Sequence, residues 1–154
     1  MDIPDNSNLV DTLRQCLPQI LKGLPVQLAY LHGSAARGET TPSSDVDIAL
    51  VCDDDISPHQ RLRLMLDVSA ELYRQASITE ADVRVINDAP LVFQGRVACE
   101  GIILYARDKT VQIEFETRTR DKYFDYLPFH QRLQAAFLQN VRERGILYGR
   151  PGQS

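Results

Sequence analysis

Residues 31–51 read Leu-His-Gly-Ser-Ala-Ala-Arg-Gly-Glu-Thr-Thr-Pro-Ser-Ser-Asp-Val-Asp-Ile-Ala-Leu-Val. An apolar run ends at Gly33-Ser34, a polar loop follows, and Asp45 and Asp47 open a second apolar run. The two runs have the character of β-strands, and the segment after the first can begin a short helix. A strand, a glycine turn and a helix start together direct backbone N–H groups at one place, which is typical of phosphate sites.

Asp45 and Asp47 are two residues apart on the second predicted strand, so their side chains lie on the same face. Two neighbouring carboxylates repel each other unless a cation lies between them, and Mg²⁺ prefers such oxygen ligands together with substrate phosphates. A third carboxylate on a neighbouring strand would complete the metal shell and accept a proton from an attacking hydroxyl. Asp82 is the candidate, and Glu80 is the alternative on the same strand face.

The Gly33-Ser34 turn supplies the other half of the predicted site. Gly33 has no Cβ to obstruct a phosphate, and Ser34 offers a hydroxyl and an N–H. The Gly-Lys-Ser/Thr sequence of a P-loop is missing, so metal, backbone N–H groups and Arg37 would meet the triphosphate charge. Arg37 and Glu39 also fit a local salt bridge, and His32 fits either a site residue or a plain strand end.

Composition places the chain among single globular domains. It has 154 residues, 44% hydrophobic content and a net charge of -4, which disfavours a non-specific nucleic-acid binder. The three cysteines are far apart and are expected to be small buried residues in a reducing compartment. The acidic start of the chain does not resemble a signal peptide, and no apolar run reaches the length of a membrane span, so we expect a cytoplasmic protein.

The order of elements predicts one α/β or α+β domain over residues 1–154, with a small mixed sheet flanked by helices. Predicted strands cover 26–32, 45–52, 78–86 and 102–105, and predicted helices cover 6–22, 35–37, 57–77 and 91–99. A long C-terminal helix is predicted from Asp108, although residues 111–115 also alternate like a strand. Pro128 is expected to break or bend this helix. Residues 145–154 are predicted to form a loose tail.

The motif from Gly33 to Glu39 followed by Ser44-Asp45-Val46-Asp47 resembles the nucleotidyltransferase superfamily that includes DNA polymerase β. It is most similar to the minimal nucleotidyltransferases (MNT), the antitoxin halves of bacterial and archaeal HEPN/MNT toxin–antitoxin pairs. The resemblance extends more weakly over most of the chain and implies a polymerase β-like fold with a long C-terminal helical segment. Arg84 stands where relatives often carry a small or apolar residue.

The resemblance implies Mg²⁺ ligands and catalytic carboxylates at Asp45, Asp47 and Asp82. It implies nucleotide binding at the following positions: Gly33, Ser34, Arg37 and Ser44. The implied activity is that of a type VII antitoxin: transfer of AMP from ATP to a tyrosine of a HEPN-domain RNase toxin, which inactivates the toxin. The implied assembly is a hetero-oligomer with that toxin, without direct contact to nucleic acid or membrane.

Two alternatives remain. The fold could sequester the toxin without catalysis, although a pure binder has no need for three acids in one place. The chain could also modify a small molecule such as an antibiotic, although no substrate-binding domain is recognisable in the sequence.

Overall fold

The structure, a computed structural model, describes residues 6–39 and 45–145. The predictions for Ser44 and for the tail at 146–154 therefore lie outside the described residues. The elements follow in chain order: α1 Asn6–Ile20, β1 Val26–His32, α2 Gly33–Ala36, β2 Val46–Cys52, α3 Pro58–Ala76, β3 Ala81–Val85, α4 Leu91–Glu100, β4 Ile102–Ala106 and α5 Lys109–Arg144.

The four strands form one mixed sheet in the order β3-β2-β1-β4. Strand β1 is antiparallel to both β2 and β4, whereas β2 and β3 are parallel. The parallel pair is connected through α3, as parallel strands require a crossover. The predicted mixed sheet flanked by helices is thus confirmed.

Helices cover both faces of the sheet. On one face, α1 and α3 pack against alternate strand residues such as Leu31, Ile48 and Val83. On the other face, α4 and α5 pack against the intervening residues, among them Tyr30 and Ala49. Strand β2 is buried on both faces from Ile48 to its end, which agrees with its continuous apolar sequence.

The ends of α3 explain one boundary that the sequence placed wrongly. Ser57 and Gln60 form a reciprocal capping box at the start of α3, and Pro58 lies in its first turn. At the other end Ser77 is left-handed with φ of 56°, and the Ile78 N–H bonds back to the helix. Residue 78 therefore completes the helix cap, and β3 begins at Ala81 instead of Ile78.

Helix α5 is continuous across Pro128, so the predicted break is not found. The choice of helix over strand for residues 111–115 is confirmed, since Phe115 is buried on the helix face that meets the sheet. Proline removes one backbone donor, which would have bonded to the carbonyl of residue 124. Phe124 is exposed, so water can satisfy that carbonyl.

The cysteines differ from one another in burial. Cys52 is buried, Cys16 is half-buried and Cys99 is exposed, and all three are free thiols. The expectation of three buried cysteines is therefore wrong for Cys99, which lies on the outer side of α4 near its end. Across residues 6–39 and 45–145, no helix combines the length and apolarity that a membrane crossing needs.

Candidate active site

Three polar side chains lie in a row across three adjacent strands. In the sheet register His32 at the end of β1 is opposite Asp47 on β2, and Asp47 is opposite Asp82 on β3. Residues directly opposite each other share a face of the sheet, and neighbouring strands are about 4.8 Å apart. The structure therefore brings Asp47 and Asp82 together. Glu80 is exposed and precedes β3, with no partner of this kind in the sheet register.

The electrostatics of Asp47 reflect this crowding. Burial raises the pKa of Asp47 above its ordinary value, the neighbouring Asp82 and Asp45 add to the rise, and His32 and Arg84 oppose it. Burial also lowers the pKa of His32. A carboxylate that is hard to ionise because it is partly buried and has two other carboxylates nearby is a position where a bound cation would favour the charged form.

Gly33 is required by the position of Asp47. Its backbone is left-handed, with φ of 72°, and a Cβ built on it would lie 2.5 Å from Oδ2 of Asp47. A side chain here would push the carboxylate out of its place. The sequence suggested that Gly33 leaves room for a phosphate, whereas the structure shows that it first leaves room for Asp47.

The turn after Gly33 is a single helical turn, α2, whose Ala35 is buried in the core. The N–H groups of Arg37 and Gly38 bond back to the carbonyls of Gly33 and Ala35, at 3.3 and 3.4 Å. The Glu39 N–H closes the turn on the Ser34 carbonyl at 2.9 Å. Ser34 is half-buried at the start of this turn, beside the end of β2 that carries Asp47.

Arg37 forms the local salt bridge that the sequence allowed. Its Nε lies 3.3 Å from Oε2 of Glu39, and the two side chains are 50% and 67% exposed. Such a surface pair contributes little to stability and leaves Arg37 available to other anions. Arg37 also lines a cavity of about 450 Å³ between α2, α4 and α5.

Asp82 is held by Arg84, two residues further along the same strand face. The Arg84 Nε lies 3.2 Å from both carboxylate oxygens of Asp82, and Nη2 lies 3.1 Å from Oδ2. This pairing raises the pKa of Arg84. The unusual arginine noticed in the sequence is therefore a neighbour of the third carboxylate.

The carboxylates of this site are the kind of ligand that a divalent cation prefers, but their side chains are not arranged around one metal position. Within the two described stretches, no group of three or more His, Cys, Asp or Glu side chains is arranged to hold a metal ion. Asp45 is exposed just before β2, and the carboxylate of Asp82 faces Arg84. Mg²⁺ needs only one or two carboxylates when phosphate oxygens and water complete its shell, so a site built on Asp45 and Asp47 would meet that requirement.

Sequence reasoning left the place of His32 open. The structure stacks its ring edge-on against Phe93 of α4, with ring centroids 5.3 Å apart. Its buried Nε2 has no hydrogen-bond partner within the described residues. The position directly before Gly33 was the only signal, and it did not distinguish a strand end from a neighbour of Asp47.

The family model described as "Polymerase beta, Nucleotidyltransferase" matches residues 15–110, which include β1 to β4 and all three carboxylates. The chain belongs to the polymerase β nucleotidyltransferase family. The predicted family and class of enzyme are thereby confirmed. The sequence has no significant match among curated proteins.

Solved structures agree with this family fold. A chain of a toxin–antitoxin complex with AMP-PNP has a TM-score of 0.65 and 21% identity, and the match covers 81% of this chain and 98% of that one. A chain of the tri-AMPylated Shewanella oneidensis HEPN toxin complex with MNT antitoxin has a TM-score of 0.62 and 19% identity, with coverage of 84% and 98%. At such identities the similarity establishes the fold.

Proposed function

We propose that this protein is an antitoxin that transfers AMP from ATP to a tyrosine of a HEPN-domain RNase toxin, with Mg²⁺ as cofactor. The observation that carries the proposal is the row of Asp47 and Asp82 beside the Gly33 turn, with Asp45 two residues before Asp47. Two structures of similar fold support the choice of partner, because one contains AMP-PNP and the other an AMPylated HEPN toxin.

Asp45 and Asp47 would hold the cation, and Gly33 and Ser34 would bind the triphosphate. Mg²⁺, when bound, neutralises the phosphate charge and polarises the α-phosphate. The tyrosine oxygen then forms a bond to the α-phosphorus, and the bond from that phosphorus to the bridging oxygen of pyrophosphate breaks. Asp82 would accept the tyrosine proton, as the third carboxylate of the row.

Arg84 makes this role of Asp82 conditional. Its guanidinium contacts both oxygens of the Asp82 carboxylate, so that carboxylate must release part of the pair to accept a proton or contact a cation. Both side chains are partly exposed, at 62% for Arg84 and 39% for Asp82, so the pair opens at small cost. Arg84 is then free to turn toward the phosphates, where its charge would be complementary.

The test is AMP transfer to a HEPN-domain protein, sought first among the products of the genes that neighbour this one. The purified proteins are incubated with ATP and Mg²⁺, and the partner's mass and RNase activity are measured. We expect the partner to gain AMP units and lose RNase activity, and Asp45→Asn/Asp47→Asn to abolish both effects. The matched control is Asp54→Asn/Asp55→Asn, which makes the same charge change at two exposed acids after β2.

Two results would contradict the proposal. If the wild type silences the RNase without adding AMP, the protein acts by sequestration. If Asp45→Asn/Asp47→Asn still adds AMP at the wild-type rate, the carboxylates have been assigned to the wrong site. Modification of an aminoglycoside with no modification of the partner would instead favour a small-molecule transferase.

A further inference from the structure

The second half of α5 extends beyond the body of the protein. Helix α4 has 10 residues and α5 has 36, so at 1.5 Å per residue α5 is about 40 Å longer than the helix beside it. Residues 129–144 of α5, called the α5 overhang from here on, are exposed apart from His130 and Val141, which are half-buried.

The α5 overhang carries an apolar stripe that continues the buried face of the same helix. In the first half of α5, Phe115 and Thr119 are buried against α4 and the sheet. Steps of three and four residues lead from Thr119 through Tyr123 and Tyr126 to the stripe, which consists of Phe129, Leu133, Phe137 and Val141. Phe129, Leu133 and Phe137 are 50%, 51% and 66% exposed.

Such a stripe is unusual for a helix segment whose side chains are mostly exposed within the described part of the chain. Isolated helices of this length are marginal in water, and helical stability in proteins comes mostly from packing of an apolar face. Contiguous exposed apolar residues mark interaction surfaces. The spacing of the stripe matches the anchor pattern by which one helix docks on an apolar groove or helix face.

Charge indicates what kind of protein fits. The α5 overhang contains Arg132, Arg142 and Arg144 against one acid, Glu143, while the chain as a whole has a net charge of -4. Two copies joined through their overhangs would bring like charges together. A different protein, with an apolar helical face bordered by carboxylates, would be complementary in both respects.

The α5 overhang also begins next to the candidate active site. The cavity of about 450 Å³ is lined by His130 and Gln134 of the overhang, by Arg96 of α4 and by Arg37, which follows the Gly33-Ser34 turn. A partner that lies on the stripe would therefore reach the cavity mouth and the phosphate turn at once.

We infer that the stripe of the α5 overhang is the docking surface for the protein that this enzyme modifies, and that the docking face of that protein is apolar with an acidic border. The inference rests on the proposed function for the identity of the partner. It adds the surface on this chain that recognises the partner.

The experiment measures binding separately from AMP transfer. The HEPN-domain protein chosen for the transfer assay is titrated by calorimetry with the wild type, Leu133→Asp, Phe137→Asp and the control Ala135→Asp. Ala135 is exposed on the opposite side of the same helical turns, so the control adds the same charge away from the stripe. We expect affinity to fall at least about 30-fold for the stripe variants and less than about threefold for the control.

Helical circular dichroism and the melting temperature should stay unchanged, because every substituted side chain is exposed. Arg132→Ala should weaken binding and reduce its dependence on salt. Wild-type affinity in Leu133→Asp and Phe137→Asp would overturn the inference and leave the proposed function standing. Loss of binding in these variants, with no AMP added by the wild type, would support the docking surface and refute the catalytic proposal.

Two further results would also overturn the inference. One is a failure of the wild type to bind the HEPN protein. The other is a dimer of the isolated wild type, seen by sedimentation velocity, that Leu133→Asp dissociates, since the stripe would then join two copies of this chain.

Discussion

Gly33→Ala tests the link between the Gly33 turn, where we propose that phosphate binds, and Asp47, the proposed metal ligand. An alanine here meets two separate costs: the left-handed backbone at φ of 72°, and a Cβ that lies 2.5 Å from Oδ2 of Asp47. Ordinary contact begins near 3.4 Å, so the oxygen has to retreat by 0.9 Å, the difference between these distances. The backbone cost is about 1–2 kcal/mol, and forcing Asp47 off its rotamer adds about 1 kcal/mol.

Gly23→Ala is the matched control. Gly23 is left-handed to the same degree, with φ of 78°, but nothing lies within 4 Å of its Cβ position. It should therefore show the backbone cost alone, about 1–2 kcal/mol of unfolding free energy. In urea denaturation, the free energy of unfolding of Gly33→Ala is expected to be about 1 kcal/mol lower than that of Gly23→Ala.

A double-mutant cycle isolates the carboxylate contact. In an Asp47→Ala background the clashing oxygen is gone, and the remaining contact, with Cβ of residue 47, is an ordinary 3.6 Å. Gly33→Ala should then cost no more than Gly23→Ala, which gives a coupling of about 1 kcal/mol. Equal costs for Gly33→Ala in both backgrounds would refute the reasoning.

Gly33→Ala should lose more activity than its loss of folding stability can explain. Under the proposed function, moving the Asp47 carboxylate by nearly 1 Å would cost about 100-fold in rate. AMP transfer is therefore expected to fall about 100-fold in Gly33→Ala at a temperature where the variant is fully folded, and to stay near the wild-type rate in Gly23→Ala.

Four other predictions concern stability in Mg²⁺-free buffer. Burial raises the pKa of Asp47, so its contribution to stability is full below the unfolded-state pKa and is lost as pH rises through the folded pKa. The free energy of unfolding of Asp47→Asn should therefore increase relative to that of the wild type as pH rises above 3.8. Hydrogen bonds from an arginine and a glutamine lower the pKa of Asp53, so Asp53→Asn should lose stability at neutral pH and approach the wild type below 3.8. The Asn87 side chain bonds to the N–H and carbonyl of Cys52, at 2.8 and 2.7 Å, and Asn87→Ala should cost about 2–4 kcal/mol in urea denaturation. The buried Tyr30 hydroxyl donates to a glutamate on α5 at 3.0 Å, and Tyr30→Phe should cost about 1–2 kcal/mol while the ring still packs.

The sequence predicted every element of the fold and both halves of the candidate site, because these depend on local patterns. The period-two spacing of Asp45 and Asp47 and the glycine after β1 are readable without tertiary information. The choice between Asp82 and Glu80 was not settled by spacing, since both share a strand face. It depends on the register of β3 against β2, which Ser77 and Ile78 influence by ending α3 and delaying the strand.

Features that depend on how far a helix extends past its neighbours could not be predicted in this way. The apolar period of α5 is the same where Phe115 is buried and where Phe137 is exposed. The extent of α4 and of the sheet decides which part of α5 finds a packing partner among the described residues. The exposure of Cys99 could not be predicted either, because it depends on which side of α4 meets α5.

Strand β2 changes from half-buried to fully buried after Asp47, and this change explains how the sheet tolerates acidic side chains so close together. From Ile48 onward both faces of the strand are buried, and pairing with β1 and β3 fixes its register. The apolar residues therefore hold Asp47 opposite Asp82 even though ionisation there is unfavourable. Under the proposed function, a cation and a phosphate would enter at this edge of the core and relieve the repulsion between the carboxylates. Asp47→Asn removes the unfavourable charge at this edge and, with it, the proposed metal ligand. Stability is therefore expected to rise and activity to fall in this variant.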